Sequence, residues 1–329
     1  MPESLRREIQ RALPAGQPLA QWTDARPIEE ELPRARVAMD RGEKALATMF
    51  SDVRRGRVPQ VDQVSDAMAG VADSMIENPD ALLWVAHLRD KHTRSYRHAM
   101  RVALYMVALG RGLGFPRNQL ASLGSVGLLA DIGKTRVPQA LLDKPSTLTP
   151  EEFEKAKLHV SLGHEMLAAS GRLPGDVLGG IFQHHERLDG SGYPNALSGP
   201  QIGLFGKMAA IADTYAAMTS SRPYGNPVAP HAALRHLFAQ AGSGFHEPLV
   251  QQFARSLGAF PVGSLVELTS GEVALVLAHD RARRRAPRVV RLADPSRAPL
   301  AAPRELDLLG HGAAERAGPV AIRCGLPAG

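Results

Sequence analysis

A chain of 329 residues with 44% hydrophobic side chains can bury a sizeable core, which excludes a disordered or fibrous class. It is too long for one small domain and short for three, and its single cysteine, Cys324, excludes a disulfide framework and fits a reducing cytoplasm. The net charge of +6 suits anionic partners such as nucleotides, although an arginine-rich proteome would leave the same mark.

Aromatics are only 5% and Ala, Leu and Val carry the apolar content, which leans helical. No apolar run approaches the ~18 residues of a membrane span, and the opening MPESLRREIQRALPAGQ lacks a signal-peptide core, so the expectation is a soluble, cytoplasmic chain without a membrane partner. Residues 1–34, with Pro14, Gly16, Pro18, Pro27 and Pro33, read as a flexible lead-in. Residues 35–88 carry a helical pattern broken by GRVPQ at 56–60. Residues 89–258 alternate helical periods with short Gly/Pro loops and hold nearly all the chemistry. Beyond them, VGSLVELTSGEVALVLAHD has β-branched runs on either side of Ser270-Gly271, a hairpin signal that opens a small β-rich appendage over 259–310, with a loose tail at 311–329. The predicted fold is therefore mainly α: a helical bundle with a helical N-terminal extension and a small β-rich C-terminal appendage.

Within the bundle, Val102, Tyr105, Met106 and Leu109 form one helical stripe, and His98 lies four residues before it. Alone, His98 reads as a core histidine bonded to a carbonyl, or as a ligand. GSVGLLADIGKTRVPQ delivers an acid, Asp131, and three residues later Lys134, a pairing that suits a metal or phosphate site. The next helix starts with a capping box, Thr149 with Glu152 around Pro150, and its apolar stripe runs Phe153, Ala156, Val160, Leu167. His159 sits beside that stripe, near the small residues Ala156 and Gly163, which would let another element approach. In FQHHERLDGSGYP, His184 and His185 end an apolar helix and project about 100° apart, so two neighbouring gaps or two metals can share them. In GKMAAIADTYAAM, Met208, Ile211, Ala212 and Tyr215 make one stripe, and Asp213 stands on a second face of small residues. Mid-helix aspartate is disfavoured by propensity, so that position suits a cation ligand held close to backbone. The six residues are all expected on helices. Imidazoles and carboxylates without a thiolate suit Fe, Mn, Zn or Ni, and a carboxylate bridging two metals is the arrangement that hydrolyses phosphate esters. Arg281, Arg283, Arg284, Arg285, Arg288 and Arg291 read as a solvated hairpin loop; with no aromatics interleaved, nucleic acid is not the expected partner. His231, His236, His246, His279 and His311 have no partners at ligand spacing and read as structural.

At these residues the sequence resembles the HD-GYP family, bacterial phosphodiesterases of cyclic di-GMP within the HD superfamily. The resemblance covers about 60–310 and rests on LGHEMLAASGRLPGDVL, HHERLDGSGYP, AIADTY, SSRPY and FPVGSLVELTSGEV, of which HHERLDGSGYP is the most specific. It implies a helical bundle with a two- or three-metal centre that opens the cyclic dinucleotide to pGpG or onward to GMP. It implies His98, Asp131, His159, His184, His185 and Asp213 as metal ligands, with Fe or Mn first and Zn or Ni as alternatives. It places Lys134 beside the phosphate, Gly192 and Tyr193 at the substrate, and Arg222 with Tyr224 in a substrate-side element. The partners it implies are cyclic di-GMP and a GGDEF-type cyclase or another copy in a homodimer.

Three positions depart from the family pattern: Ala130 stands where the HD histidine belongs, Arg94 where relatives have Glu or Tyr, and Ala216 where they have an acid. One metal position is then left with His98, Asp131 and Asp213, while Asp131, His159, His184 and His185 remain complete. The expectation is about one metal per chain and impaired catalysis, with binding as the residual function. An active phosphodiesterase, and a phosphohydrolase on another nucleotide, are the alternatives. Arg94, one helical turn before His98, would either hold a phosphate in place of the lost metal's charge or extend into solvent.

Overall fold

The computed structural model describes residues 1–89, 94–220, 227–279, 287–308 and 320–326. Twelve α-helices lie among them: α1 (Glu3–Ala12), α2 (Ile28–Arg54), α3 (Val61–Glu77), α4 (Pro79–Leu88), α5 (Arg94–Leu113), α6 (Arg117–Leu129), α7 (Gln139–Leu142), α8 (Pro150–Ala168), α9 (Gly175–Gln183), α10 (Leu204–Met218), α11 (Pro230–Ala239) and α12 (Glu247–Leu257). None is long and apolar enough to cross a membrane. Helices α5 and α6 pack on each other, α10 lies between α5 and α9, and α8 lies against α9 and a 3-10 turn, Ile132–Arg136. Helix α10 is buried nearly all round, because its apolar stripe and its small-residue face both meet neighbours. The Tyr215 ring meets Tyr105 and Phe253 edge-on at 5.0 and 5.2 Å, which locks α10 against α5 and α12. The capping box of α8 forms as expected: Glu152 N donates to Thr149 Oγ1 and Thr149 N donates to the Glu152 carboxylate.

The N-terminal segment departs from its expectation. Residues 1–34 contain α1, whose Leu5 and Ile9 are fully buried, and the first turns of α2, which runs through Pro33. The buried Lys207 of α10 donates to Glu8 at 2.6 Å, and Trp22 donates to the Phe115 carbonyl. Pro27 caps α2 and Pro14 follows the end of α1, so these prolines mark helix boundaries and not looseness, while Pro33 is carried inside α2. Helices α2 and α3 are separated by residues 55–60, as the GRVPQ break predicts.

At the C-terminal side, β1 (Leu265–Leu268), β2 (Val273–Ala278), β3 (Arg288–Ala293), β4 (Pro299–Asp307) and β5 (Ile322–Gly325) form an antiparallel sheet in the order β4-β3-β2-β1-β5. The β1–β2 hairpin turns at Ser270-Gly271, and Val266, Leu268, Ala274, Val276, Val289 and Leu306 make a small core of its own. The loose tail expected from 311 onward is corrected in part: residues 322–325 are strand β5, paired with β1. Arg288 and Arg291 belong to β3 and pair with Glu29 (2.7 Å) and Glu272 (3.1 Å), so they are not loop residues. Arg281, Arg283, Arg284, Arg285 and His311 lie outside the described residues. His279 joins the sheet to α4, its backbone N donating to Asp80 at 2.7 Å.

Candidate metal centre

Six side chains from five segments meet where α5, α8 and α10 converge with the ends of α6 and α9. His98, His159 and Asp213 stand inside helices. Asp131 follows α6 as the cap of the 3-10 turn, while His184 caps α9 and His185 comes next. The expectation that all six lie on helices is corrected for these three. The end of α9 frees the backbone to aim two adjacent side chains into one space. Gly133 sets the approach: a Cβ there would lie 1.9 Å from the His159 carbonyl oxygen, so only glycine lets the Asp131 turn sit against α8.

The six divide into two groups sharing Asp131. Ligating atoms of Asp131, His159, His184 and His185 lie within 4.8 Å of one another, and so do those of His98, Asp131 and Asp213. In the first group, His159 Nδ1 donates to the Ala156 carbonyl (2.7 Å) and His184 Nδ1 to the Ile181 carbonyl (2.6 Å). A carbonyl only accepts, so each Nδ1 carries the proton, and in the neutral ring Nε2 keeps its lone pair. Burial pushes His184 down to about 4 and His185 well below its ordinary range, which keeps both rings neutral. The Nε2 atoms of His159 and His184 lie 3.3 and 3.9 Å from Asp131 Oδ1, and all three atoms are buried without a hydrogen-bond partner. Three lone-pair atoms converging with no proton to share are costly unless a cation sits among them. Imidazoles fixed through Nδ1 are the usual support of a metal ligand. These residues fit a transition-metal ion.

The second group is paired internally. His98 Nε2 donates to Asp213 Oδ1 at 2.8 Å and lies 3.7 Å from Asp131 Oδ2, which accepts from the Lys134 ammonium at 2.6 Å. Burial would raise the Asp131 carboxyl, but the Lys134 ammonium beside it holds it well below the carboxylate range. Burial likewise opposes ionisation of Asp213, and the hydrogen bond and charge of His98, with His185, outweigh it. Ala130, at the end of α6, is buried and offers no ligand atom.

Other predicted residues fall at the rim. The Tyr193 ring stacks on His185 at 4.5 Å, and burial pushes its phenol up, so it stays a protonated donor. Gly192 is needed for close approach, since a Cβ would meet Glu186 Cα and Arg187 N at 2.5 Å. Arg94 is exposed at the start of α5 and lines, with Arg97 and Arg101, a separate cavity of about 190 Å³ beside Tyr105 and the β unit. Arg222 and Tyr224 lie outside the described residues.

Sequence reasoning missed the residues that hold the GSGYP loop. Glu186 is 1% exposed and accepts from Asn195 N (2.8 Å) and Leu197 N (2.9 Å). Arg187 donates to Thr214 Oγ1, beside Asp213, and lies over the Phe245 ring at 5.0 Å. The signal was a charged pair placed directly after two inward histidines. The stripe reading of Phe153 is corrected too: the side chain is 47% exposed, because α8 turns its first residues outward at the rim.

An HD domain family model matches residues 85–248. A Pseudomonas aeruginosa protein named cyclic di-GMP phosphodiesterase PA4108 is 36% identical over 250 residues, 76% of this chain and 60% of its own length. A Thermotoga maritima protein named cyclic di-GMP phosphodiesterase is 35% identical over 187 residues, covering 56% of this chain and 50% of its own length. The chain thus spans about half to three-fifths of the length of these relatives. Among solved structures, the HDG"Y"P protein Bd1817 from Bdellovibrio bacteriovorus superposes with a TM-score of 0.57 at 18% identity, over 76% of this chain and 77% of that one, a likeness of fold.

Proposed function

The chain belongs to the HD domain family as an HD-GYP member, and on that premise we propose that it is a cyclic di-GMP signalling protein that binds the dinucleotide and turns it over very slowly or not at all. The observation that carries this reading is the asymmetry of the cluster: three buried lone-pair atoms converge in the Asp131, His159, His184, His185 group, while the His98, Asp131, Asp213 group pairs with itself beside Ala130. The four-residue group would hold one transition-metal ion, iron or manganese first, with zinc or nickel as alternatives. Bound there, such an ion supplies Lewis acidity toward a phosphate oxygen and acidifies water. Lys134 presents its ammonium to the phosphate from the opposite side of Asp131, and the Tyr193 phenol donates at the rim. Asp131 orients both halves through its two oxygens. By the family resemblance Ala130 replaces a ligand histidine, and removing a direct ligand should cost at least the ~10–100-fold typical of an outer partner. Arg222 with Tyr224 is proposed on the substrate side, and a GGDEF-type cyclase or a second copy as the protein partner; Arg94, which lines the separate cavity, is not.

Elemental analysis of the purified chain beside a cyclic di-GMP binding and turnover assay tests this. The expected result is about one metal per chain, measurable binding, and turnover raised by Ala130→His. Two tightly held metals with brisk conversion to pGpG would favour the active phosphodiesterase, the reading that the complete four-residue group and Lys134 support.

A further inference from the structure

A run of rings leads from the buried cluster to the surface. His184 and His185 lie 4.0 Å apart between centroids, His185 and Tyr193 4.5 Å, and Tyr193 and Phe153 6.0 Å at an 83° interplanar angle. The last ring, Phe153, is half exposed. A lone exposed phenylalanine needs no explanation. This one is held in place: the Lys157 ammonium lies 5.4 Å from its centroid and 5.6 Å from that of Tyr193, so one cation spans both rings. Beside it opens a recess of about 580 Å³ lined by Ser146, Thr147, Leu148, Thr149 and Pro150 with Phe153 itself, a size in the range of small-molecule sites. The recess therefore has an aromatic wall and hydroxyl groups on its loop side. The ammonium over the Phe153 ring is paired with Glu154 at 2.6 Å and keeps two further protons to donate. Tyr193 is the ring between Phe153 and the histidine cluster.

We infer that Phe153 and Lys157 form a nucleobase subsite, in which one guanine of the cyclic dinucleotide stacks on Phe153 and turns its acceptor edge to Lys157. The inference rests on the functional reading above and adds to it the residues that select the base. Stacking alone tolerates any base, because every base has a π-face. Lysine only donates, so it favours guanine, which presents O6 and N7 as two acceptors, over adenine, which presents a donor beside N7. Phe153 supplies affinity and Lys157 supplies discrimination.

Calorimetric titration of the 329-residue chain with cyclic di-GMP and cyclic di-AMP separates these roles. Phe153→Ala should weaken both dinucleotides about tenfold or more, while Phe153→Trp keeps affinity and reports the base by quenching of the new indole. Lys157→Met should leave cyclic di-AMP binding nearly unchanged and reduce the preference for cyclic di-GMP about tenfold. Phe153→Ala binding within about twofold of the parent, or an undiminished preference in Lys157→Met, overturns the subsite and leaves the functional reading standing. If the parent chain binds neither dinucleotide, the functional reading fails and the subsite falls with it.

Discussion

The two halves of the cluster share Asp131 and differ in where their protons are. Around Asp131 Oδ1, the His159 and His184 rings spend their Nδ1 protons on helix carbonyls and point lone pairs inward. Around Asp131 Oδ2, the Lys134 ammonium and the His98–Asp213 hydrogen bond already match each acceptor with a donor. The first half is arranged to suit a cation, and the second is paired as a set of hydrogen bonds. Identical residue types thus stand in different arrangements: His159 and His184 bond backbone carbonyls through Nδ1, whereas His98 bonds a carboxylate through Nε2.

The largest expected effect separates the halves directly. His184→Ala should lower metal affinity by on the order of 100-fold or more, and His98→Ala by less than about tenfold, read by chelator competition. Equal losses would break the asymmetry. Ala130→His tests it from the other side. It should raise bound metal from about one toward two per chain and raise cyclic di-GMP turnover about 10–100-fold, measured by elemental analysis and product chromatography.

The pH dependence of the metal-free chain comes next. His184 stays neutral to about pH 4 when folded, whereas the unfolded chain takes its proton near 6.5. Its folded value is depressed, so the stability tied to the neutral ring is fully present above the unfolded value and is lost as pH falls from 6.5 to about 4. The unfolding free energy from urea titrations at intervals across that window should fall by on the order of 2 kcal/mol, and His184→Gln should flatten the fall. An effect of similar size or smaller tests the loop whose Tyr193 stacks on His185. Glu186→Gln puts an amide against the N–H groups of Asn195 and Leu197 and should destabilise by about 1–3 kcal/mol in thermal or urea unfolding, with metal content unchanged.

Much of this was legible in one dimension because periodicity and local chemistry write it there. The capping box at Thr149, the hairpin at Ser270-Gly271 and the α10 stripe need only neighbours a few residues apart. The inward positions of His98, His159 and Asp213 follow from helical spacing, and Gly163 beside His159 does mark a close approach, to Gly133. What failed depended on distant partners. Helix α1 is short and flanked by prolines, and its order comes from burying Leu5 and Ile9 and from the Lys207–Glu8 pair, 199 residues apart. Strand β5 follows a polar, glycine-rich stretch and exists as a strand through its pairing with β1.

The candidate site divides the same way. The sequence by itself determined which six residues could meet and that position 130 offers no imidazole, because residue type and motif spacing are local properties. Only the tertiary structure decided that Asp131 acts from the turn after α6, that Phe153 faces solvent and that Arg94 lies at a different cavity. It also decided that His98 meets the Asp213 carboxylate, whereas the Nδ1 partners of His159 and His184 are carbonyls three residues earlier in their own helices. The contacts of His98 with Asp213, and of Asp131 with His159 and His184, join segments dozens of residues apart, and no local pattern encodes the distance between them.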